Sequence, residues 1–436
     1  MQLPHTAAWT TVKPKILLAT TSRWVPTARL AMALANAGCG VEVVCPSGHP
    51  VAKTNVVRQI YTYRGLAPLM SFRNAITATN PDLIVPGDDL ATRHLHDLHR
   101  WGQREGNKGA SICALIERSL GPSESFPVLF ARNTFMEVAQ QEGVRVPKTG
   151  VIKNNDDLRK LAGRLGFPLV LKANGTSGGD GVRITHTLEE AEQALRTLQT
   201  PPLFARAAKR ALLDQDTTLL WPSLLRQRYV VNAQAFVTGR EATSTIFCWK
   251  GSVLAALHFE VLNKMHAAGH AAVLRLIEHP EMSSATEKMA RRLNLSGLYG
   301  FDFMLEAQTE DAYLIEINPR TTQVGHLALG AGRDLPAALY AALSGDCVPA
   351  TRMVTEKDTI ALFPQEWMRD PASEFLRLCY HDVPWEQPAL VSDCILKSRG
   401  QRAWYVKSKV SLVRSPSKPL TVRPEHRAVE VDCEAK

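Results

Sequence analysis

The chain has 436 residues, 45% hydrophobic and 21% charged, which excludes a disordered or fibrous polypeptide and allows two to four compact units. No apolar run reaches the roughly 18 residues of a membrane helix, and the opening stretch lacks a basic segment followed by an apolar one, so a cytoplasmic protein without membrane contacts is expected. The formal net charge is +9, yet ten Lys/Arg against four Asp/Glu fall between Lys397 and Lys436, so the excess lies mainly in a tail and does not argue for a nucleic-acid partner.

Eight cysteines are scattered without a Cys-x-x-Cys pair, so neither a zinc site nor a disulfide framework is expected. In the first 125 residues, Lys15–Thr20, Val41–Cys45 and Asp82–Pro86 read as buried strands. Thr27–Ala37 reads as an amphipathic helix ended by Gly38. Strands alternating with helices imply a parallel sheet, and the loops Thr20–Val25 and Pro86–Asp89 fall at carboxyl strand ends, where ligands bind. Neither loop carries a Gly-x-Gly-x-x-Gly fingerprint, so no dinucleotide site is expected.

Further along, a helix over Asn133–Glu142 is followed by strands at Phe167–Ala173 and Gly181–Thr185, and by a helix over Leu188–Leu198 with a capping box at Thr187 and Glu190. Strands follow at Ala242–Trp249 and Val253–Phe259, then a helix at Ser284–Leu293 and strands at Gly300–Glu306 and Ala312–Ile317. A last helix is expected near Pro371–Leu378.

Three elements carry chemistry. Between the strands at 167–173 and 181–185, Lys172 precedes a run with four glycines between 175 and 181. Glycines let backbone N–H groups approach phosphate oxygens, and a lysine adds charge, although the run is not a Walker A motif. The segment Gln234–Glu241 reads as a short edge segment with a polar group at each end, suited to hydrogen-bonding an amino group and hydroxyls. The hairpin Gly300–Leu305 and Tyr313–Arg320 is the most specific. Period-two alternation puts Glu316 and Asn318 on one face together with Leu314, with Ile315 and Ile317 on the other and Asp302 facing them from the partner strand. Two carboxylates and an amide oxygen suit Mg²⁺ held against phosphates, and Arg320 beyond them suits a transferring phosphoryl group.

The Glu-Ile-Asn-Pro-Arg run at 316–320, preceded by Phe-Asp-Phe-Met at 301–304, makes the chain resemble the ATP-grasp superfamily, similar in layout to biotin carboxylase, carbamoyl-phosphate synthetase and D-alanine–D-alanine ligase. The resemblance spans about 126–345. It implies an α/β chain with five parts: a Rossmann-like domain (1–125), a small ATP-grasp subdomain (126–237), a large one (238–345), a carboxy-terminal extension (346–400) and a basic tail (401–436). It also implies ATP and two Mg²⁺ ions, with Mn²⁺ as a substitute. Arg132 and Lys172 would contact phosphates, and Gly178, Gly179 and Gly181 would form the lid over them. Gln234 would read the adenine, Ala235, Phe236 and Val237 would form the hinge, and Glu241 would bind the ribose. Asp302, Glu316 and Asn318 would ligate metal, Arg320 would steady an acyl phosphate, and Lys264 would be a further phosphate contact.

The implied reaction activates a carboxylate as an acyl phosphate and joins it to an amine, releasing ADP and phosphate. Its partners would be a small carboxylate and an amine, with a second copy of the chain as a further one. A bicarbonate-using carboxylase or carbamoyl-phosphate-type enzyme is the first alternative, although Gly325 stands where biotin carboxylase has a functional Glu. A non-catalytic nucleotide sensor is the second. The histidine-rich stretch 93–99 reads as a surface helix rather than a metal site, and His266 and His270 sit in a loop able to approach an acceptor.

Overall fold

The computed structural model describes residues 13–174, 181–200, 204, 223–224, 229–266, 269–347 and 352–398. Gly178, Gly179 and the basic tail lie outside the described residues.

The first part alternates β1 (Lys15–Ala19), α1 (Val25–Asn36), β2 (Gly40–Cys45), β3 (Gln59–Thr62), α2 (Pro68–Thr79), β4 (Leu83–Pro86), α3 (Asp89–Arg104) and α4 (Ala110–Leu120). The strands pair in parallel in the order β3-β2-β1-β4. Because β1 alternates strictly, Ile16 and Leu18 enter one core while Leu17 and Ala19 enter the opposite one, with α2, α3 and α4. The chain order reverses between β1 and β4, so the loops after these two strands meet at the carboxyl edge of the sheet.

Helix α3 is not the surface helix its histidines suggest. His96 stacks on Phe126 at 3.9 Å, and buried His99 lies 2.9 Å from Glu117. Both rings face α4 and the start of α5 (Phe126–Phe130), which leads into α6 (Arg132–Gln141).

A second, antiparallel sheet has the order β5-β8-β6-β7, from β5 (Thr149–Ile152), β6 (Leu169–Ala173), β7 (Val182–Thr185) and β8 (Val231–Ala235). It packs on α7 (Asn155–Leu165) and α8 (Leu188–Gln199). The capping box forms in a shifted version: the Thr187 hydroxyl accepts from Glu190 N at 3.2 Å, but the Glu190 carboxylate accepts at 2.7 Å from the N–H of His186, one residue before the cap. The edge position expected for Gln234 is not what forms, because β8 lies inside the sheet between β5 and β6.

The third sheet has seven strands in the order β13-β12-β9-β10-β11-β14-β15. Its elements are β9 (Gly239–Trp249), β10 (Ser252–Lys264), β11 (Ala271–Leu276), α9 (Pro280–Arg292), β12 (Gly297–Glu306), β13 (Ala312–Asn318), α10 (Leu335–Ser344), β14 (Thr359–Leu362), α11 (Gln365–Arg369), α12 (Phe375–Leu378) and β15 (Tyr380–Asp382), followed by a helix over 388–398. The helix expected near Pro371–Leu378 is shortened to the four residues of α12, and α11 is a separate turn that ends before Pro371. Pro371 lacks the N–H a helix interior needs, and Asp370 is extended, so the chain turns between them. One face of the large sheet packs on α6 and α9 through Phe301 and Phe303, each fully buried and contributing about 1.5–3 kcal/mol of apolar burial. The other face shares one continuous core with α1, β1, β14 and the 388–398 helix.

That shared core contains a buried charge cluster. Arg29 of α1 pairs with Asp382 of β15, and His326 Nε2 donates to Asp382 Oδ2 at 2.7 Å. Burial alone would raise the Asp382 pKa, but His326 and Arg29 more than offset it and hold the carboxyl below its ordinary value.

His258 ties β9, β10 and α9 together, its ring nitrogens lying 2.7 Å from the Ser244 hydroxyl and 3.0 Å from that of Ser283. Burial pushes its pKa down to about 4, aided by His279 and Arg333. The unfolded chain therefore takes up this proton first. The stability tied to the neutral ring is complete above pH 6.5 and drains away as the pH falls towards 4, by up to about 3 kcal/mol. Urea midpoints at pH 7 and pH 4.5 should differ less in His258→Gln, which keeps hydrogen bonds but does not titrate, than in the wild type.

Candidate active site

The hairpin of β12 and β13 sets the site. Gly300 pairs with Asn318, Phe301 with Ile317 and Asp302 with Glu316. Then a bulge intervenes before Phe303 meets Leu314. The extra residue, Ile315, shifts the phase of alternation. Leu314 and Ile317, three apart, both enter the core beneath, so Leu314 does not share the face of Glu316 and Asn318 as simple alternation predicts. Gly300 leaves room for the site, since a Cβ there would lie 2.5 Å from the Thr322 side chain and 3.3 Å from Asn318 Cβ.

Asp302 Oδ1 accepts from the Thr243 hydroxyl at 2.9 Å, and its Oδ2 accepts from Asn318 Nδ2 at 2.8 Å. Glu316 Oε1 accepts from Arg132 Nη2 at 2.6 Å, Arg132 being the first residue of α6. Lys172 is the penultimate residue of β6 in the neighbouring sheet and is 7% exposed. Burial, then the Arg132 charge, pushes its pKa down to about 8 against the pull of Glu316, Asp302 and Glu241. Burial likewise raises Asp302 against its two hydrogen bonds and Arg320, and raises Glu316 against Arg132 and Lys172.

Around this centre, Lys264 Nζ donates to Glu241 Oε1 at 2.6 Å, and Gln234 Nε2 donates to the Thr149 hydroxyl at 3.1 Å. Ala235, Phe236 and Val237 link β8 to β9, and so link the two sheets. Gly181 closes the glycine run, its carbonyl accepting from Ala173 N at 2.9 Å. Arg320 lies 3.2 Å from Asp89. The geometry thus gathers Arg132, Lys172, Asp302, Glu316, Asn318 and Arg320, while Gln234, Glu241 and Lys264 lie on the neighbouring strands β8, β9 and β10. Sequence reasoning did not single out Thr243, Asp89 or Trp24. The one available signal was that Trp24 and Asp89 belong to the two loops at carboxyl strand ends.

The donor set fits a divalent cation. Two part-buried carboxylates, both held above their ordinary pKa by desolvation and completed by an amide oxygen, make an all-oxygen site of the kind Mg²⁺ or Mn²⁺ takes. Among the described residues no trio of His, Cys, Asp or Glu gathers for a metal, so Asn318 would be the third protein ligand. Arg132 Nη1, buried without a partner, is a further cationic donor beside Glu316 and fits an anionic ligand there.

Lys172 makes a pH prediction. Its cationic form is available below about pH 8 and is lost above, so the affinity for a polyphosphate should fall by up to tenfold per pH unit beyond that point. Calorimetric titration with MgATP between pH 7 and 9.5 reads this. Lys172→Arg, which stays charged, should flatten the profile.

Residues 131–332 match the family described as carbamoyl-phosphate synthase L chain, ATP binding domain. The matched segment begins at the foot of α6 and runs past the end of β13, so it contains the hairpin that carries Asp302, Glu316 and Asn318. It is 26% identical over 228 residues to the carbamoyl phosphate synthase large chain of Kocuria rhizophila, covering 51% of this chain and 18% of that one. It is 24% identical over 259 residues to the large chain of Rubrobacter xylanophilus, covering 58% and 22%. The chain thus spans about a fifth of the length of these relatives. Among solved structures, it shares its fold with a carboxyaminoimidazole ribonucleotide synthase from Aspergillus clavatus complexed with ATP, with TM-score 0.55, 13% identity and 78% of each chain covered. It also shares its fold with the biotin carboxylase domain dimer of the Hydrogenobacter thermophilus 2-oxoglutarate carboxylase, with TM-score 0.53, 16% identity and 78% and 71% covered. No described helix is long and apolar enough to cross a membrane.

Proposed function

We propose that the protein is an ADP-forming ligase that activates a small carboxylate with ATP and joins it to an amine. The observation that carries this reading is the meeting of part-buried Asp302, Glu316 and Asn318 with Arg132, buried Lys172 and Arg320 beside the 235–237 link between the two sheets. Carboxylates on the large sheet met by cations from α6, β6 and the loop after β13 suit a polyphosphate with bound cations better than a plain structural ion network. Asp302, Glu316 and Asn318 would hold two Mg²⁺ ions, which would supply positive charge to offset that of the phosphates.

In this reading Gln234 reads the adenine edge, and Glu241 takes the ribose while holding Lys264 by its phosphate side. Arg132 and Lys172 bind phosphate oxygens, and Gly178, Gly179 and Gly181 close over them. A substrate carboxylate oxygen attacks the γ-phosphorus and ADP leaves. An amine then attacks the acyl carbon, phosphate departs and the amine nitrogen loses a proton. Arg320 steadies the acyl phosphate between the two steps. No covalent bond to the enzyme is required, so positioning and electrostatics supply the rate. The same reading divides the chain near residues 125, 237 and 345, and it takes the working form as a cytoplasmic homodimer.

Mg²⁺-dependent release of ADP and phosphate across pooled carboxylates and amines tests the reading. Release that needs both an acid and an amine supports it. Release with bicarbonate and no organic acid points to a carboxylase-type reaction instead. Tight ATP binding without turnover in any pool would indicate a nucleotide sensor.

A further inference from the structure

We propose that Trp24 and Asp89, both outside the ATP-grasp segment, are positioning residues that preset Arg320 for the group it receives. The proposal rests on the reading that Arg320 meets the transferring phosphoryl group.

The loop carrying Arg320 is stapled to the parallel-sheet part by its backbone. Thr321 N donates to Pro86 O at 3.1 Å, and the Thr92 hydroxyl of α3 donates to Pro319 O at 2.7 Å. The side chain is then held on several sides. Arg320 Nε faces Asp89 Oδ1 at 3.2 Å, Nη1 donates to Thr321 O at 3.0 Å, and Nη2 donates to Asn318 Oδ1 at 3.3 Å. The guanidinium carbon lies 5.5 Å from the centre of the Trp24 ring, within cation–π range. A guanidinium has five N–H donors in one rigid plane, so three are engaged and two remain, the number a bidentate contact to phosphoryl oxygens uses.

The platform behind these two residues is itself fixed. The Asp88 carboxylate accepts from Thr21 N at 2.6 Å, Ser22 N at 3.1 Å, the Thr20 hydroxyl at 2.7 Å, the Thr21 hydroxyl at 2.8 Å and Ala91 N at 2.9 Å. Asp88 therefore ties the β1–α1 loop, which bears Trp24, to the start of α3, which bears Asp89. The loops at the switch point of the parallel sheet are bound to each other, and what they present to the large sheet is one ring face and one carboxylate. A rotamer-rich arginine loses much freedom on binding an anion. One that is already clamped loses little, and the difference appears as tighter binding of the transition state.

The test is calorimetric titration of MgADP with and without aluminium fluoride, whose fluoroaluminate mimics a phosphoryl group in flight. It is run on the wild type, Asp89→Asn, Trp24→Leu, Trp24→Phe, Arg320→Ala and the Asp89→Asn/Arg320→Ala double variant. In the wild type, fluoroaluminate should tighten MgADP by about 100-fold or more, and Arg320→Ala should abolish the gain. Asp89→Asn and Trp24→Leu should each remove about tenfold of it while leaving MgADP alone unchanged. Trp24→Phe should restore the gain lost in Trp24→Leu, and the double variant should be no worse than Arg320→Ala.

Full retention of the gain in Asp89→Asn and Trp24→Leu overturns the proposal. So does an equal weakening of MgADP itself, or an additive loss in the double variant. If the wild type shows no gain, or Arg320→Ala keeps it, the reading of Arg320 fails first and the proposal with it. Should Trp24→Leu not fold by circular dichroism, Asp89→Asn and Trp24→Phe carry the comparison.

Discussion

Glu316→Ala should abolish Mg²⁺-dependent ADP release, by about 10³-fold or more, while the chain stays folded. Glu316 answers two cations at once, Arg132 at 2.6 Å and the buried Lys172, and it stands opposite Asp302 in the register of the hairpin. Its removal leaves two positive groups facing a single carboxylate, so the site can neither hold a divalent cation in the same place nor keep Arg132 where it is. Glu316→Gln keeps the shape and removes the charge. It should be nearly as inactive, which separates the loss of charge from the loss of packing. Excess Mg²⁺ should rescue neither variant. Steady-state ADP release checks the first point, and MgATP titration of both variants checks the second. Turnover within tenfold of wild type in Glu316→Ala would remove the hairpin from the chemistry.

Asp382→Ala should produce the largest stability loss of any single substitution away from the site, about 3–5 kcal/mol. The carboxylate is 2% exposed and serves two cationic or donor groups, Arg29 and His326, both buried and drawn from distant parts of the chain. Without it, Arg29 sits uncompensated inside the core shared by α1, the large sheet and the 388–398 helix, where a second acid, Glu386, is 3.9 Å away and largely exposed. Replacing both partners with apolar side chains of similar volume, Arg29→Met with Asp382→Leu, should recover much of the loss, because no lone charge is left behind. A urea series on the two single variants and the double reads the result directly. If Asp382→Ala lies within 1 kcal/mol of wild type, the cluster is not a structural tie.

The chemistry at 300–320 was legible because it is local. Two strands joined by a short loop bring Asp302, Glu316 and Asn318 together by pairing alone, and Lys172 at a strand end before glycines is equally self-announcing. The bulge at Ile315 was not legible, since nothing in period-two alternation marks the residue at which the phase slips. The burial of His96 and His99 was missed for a different reason. A helix rich in His, Arg and Asp reads as solvated until Phe126, beyond α4, is known to cover it. The same holds for Trp24 and Asp89, whose partner Arg320 lies in the loop after β13, more than 230 residues away in sequence. Local pattern reveals what adjacent strands do, and long-range pairing decides the rest.

The pairing of Arg29 with Asp382 spans 353 residues of sequence. During synthesis at roughly 5–20 residues per second, an interval of about 20–70 s separates the two residues' emergence from the ribosome. Throughout that time α1 has a buried-type arginine with no permanent counter-charge, and the face of β1 carrying Ile16 and Leu18 lacks much of the sheet that covers it. The amino-terminal sheet can assemble early through its other face, on α2, α3 and α4, where all the partners come from the first 126 residues. The Ile16 and Leu18 face has α1 from the start, but the rest of its apolar cover comes from residues 247–394. A nascent chain stalled before residue 382 is therefore a form in need of a chaperone, and that need ends once β15 and the helix over 388–398 have joined the core.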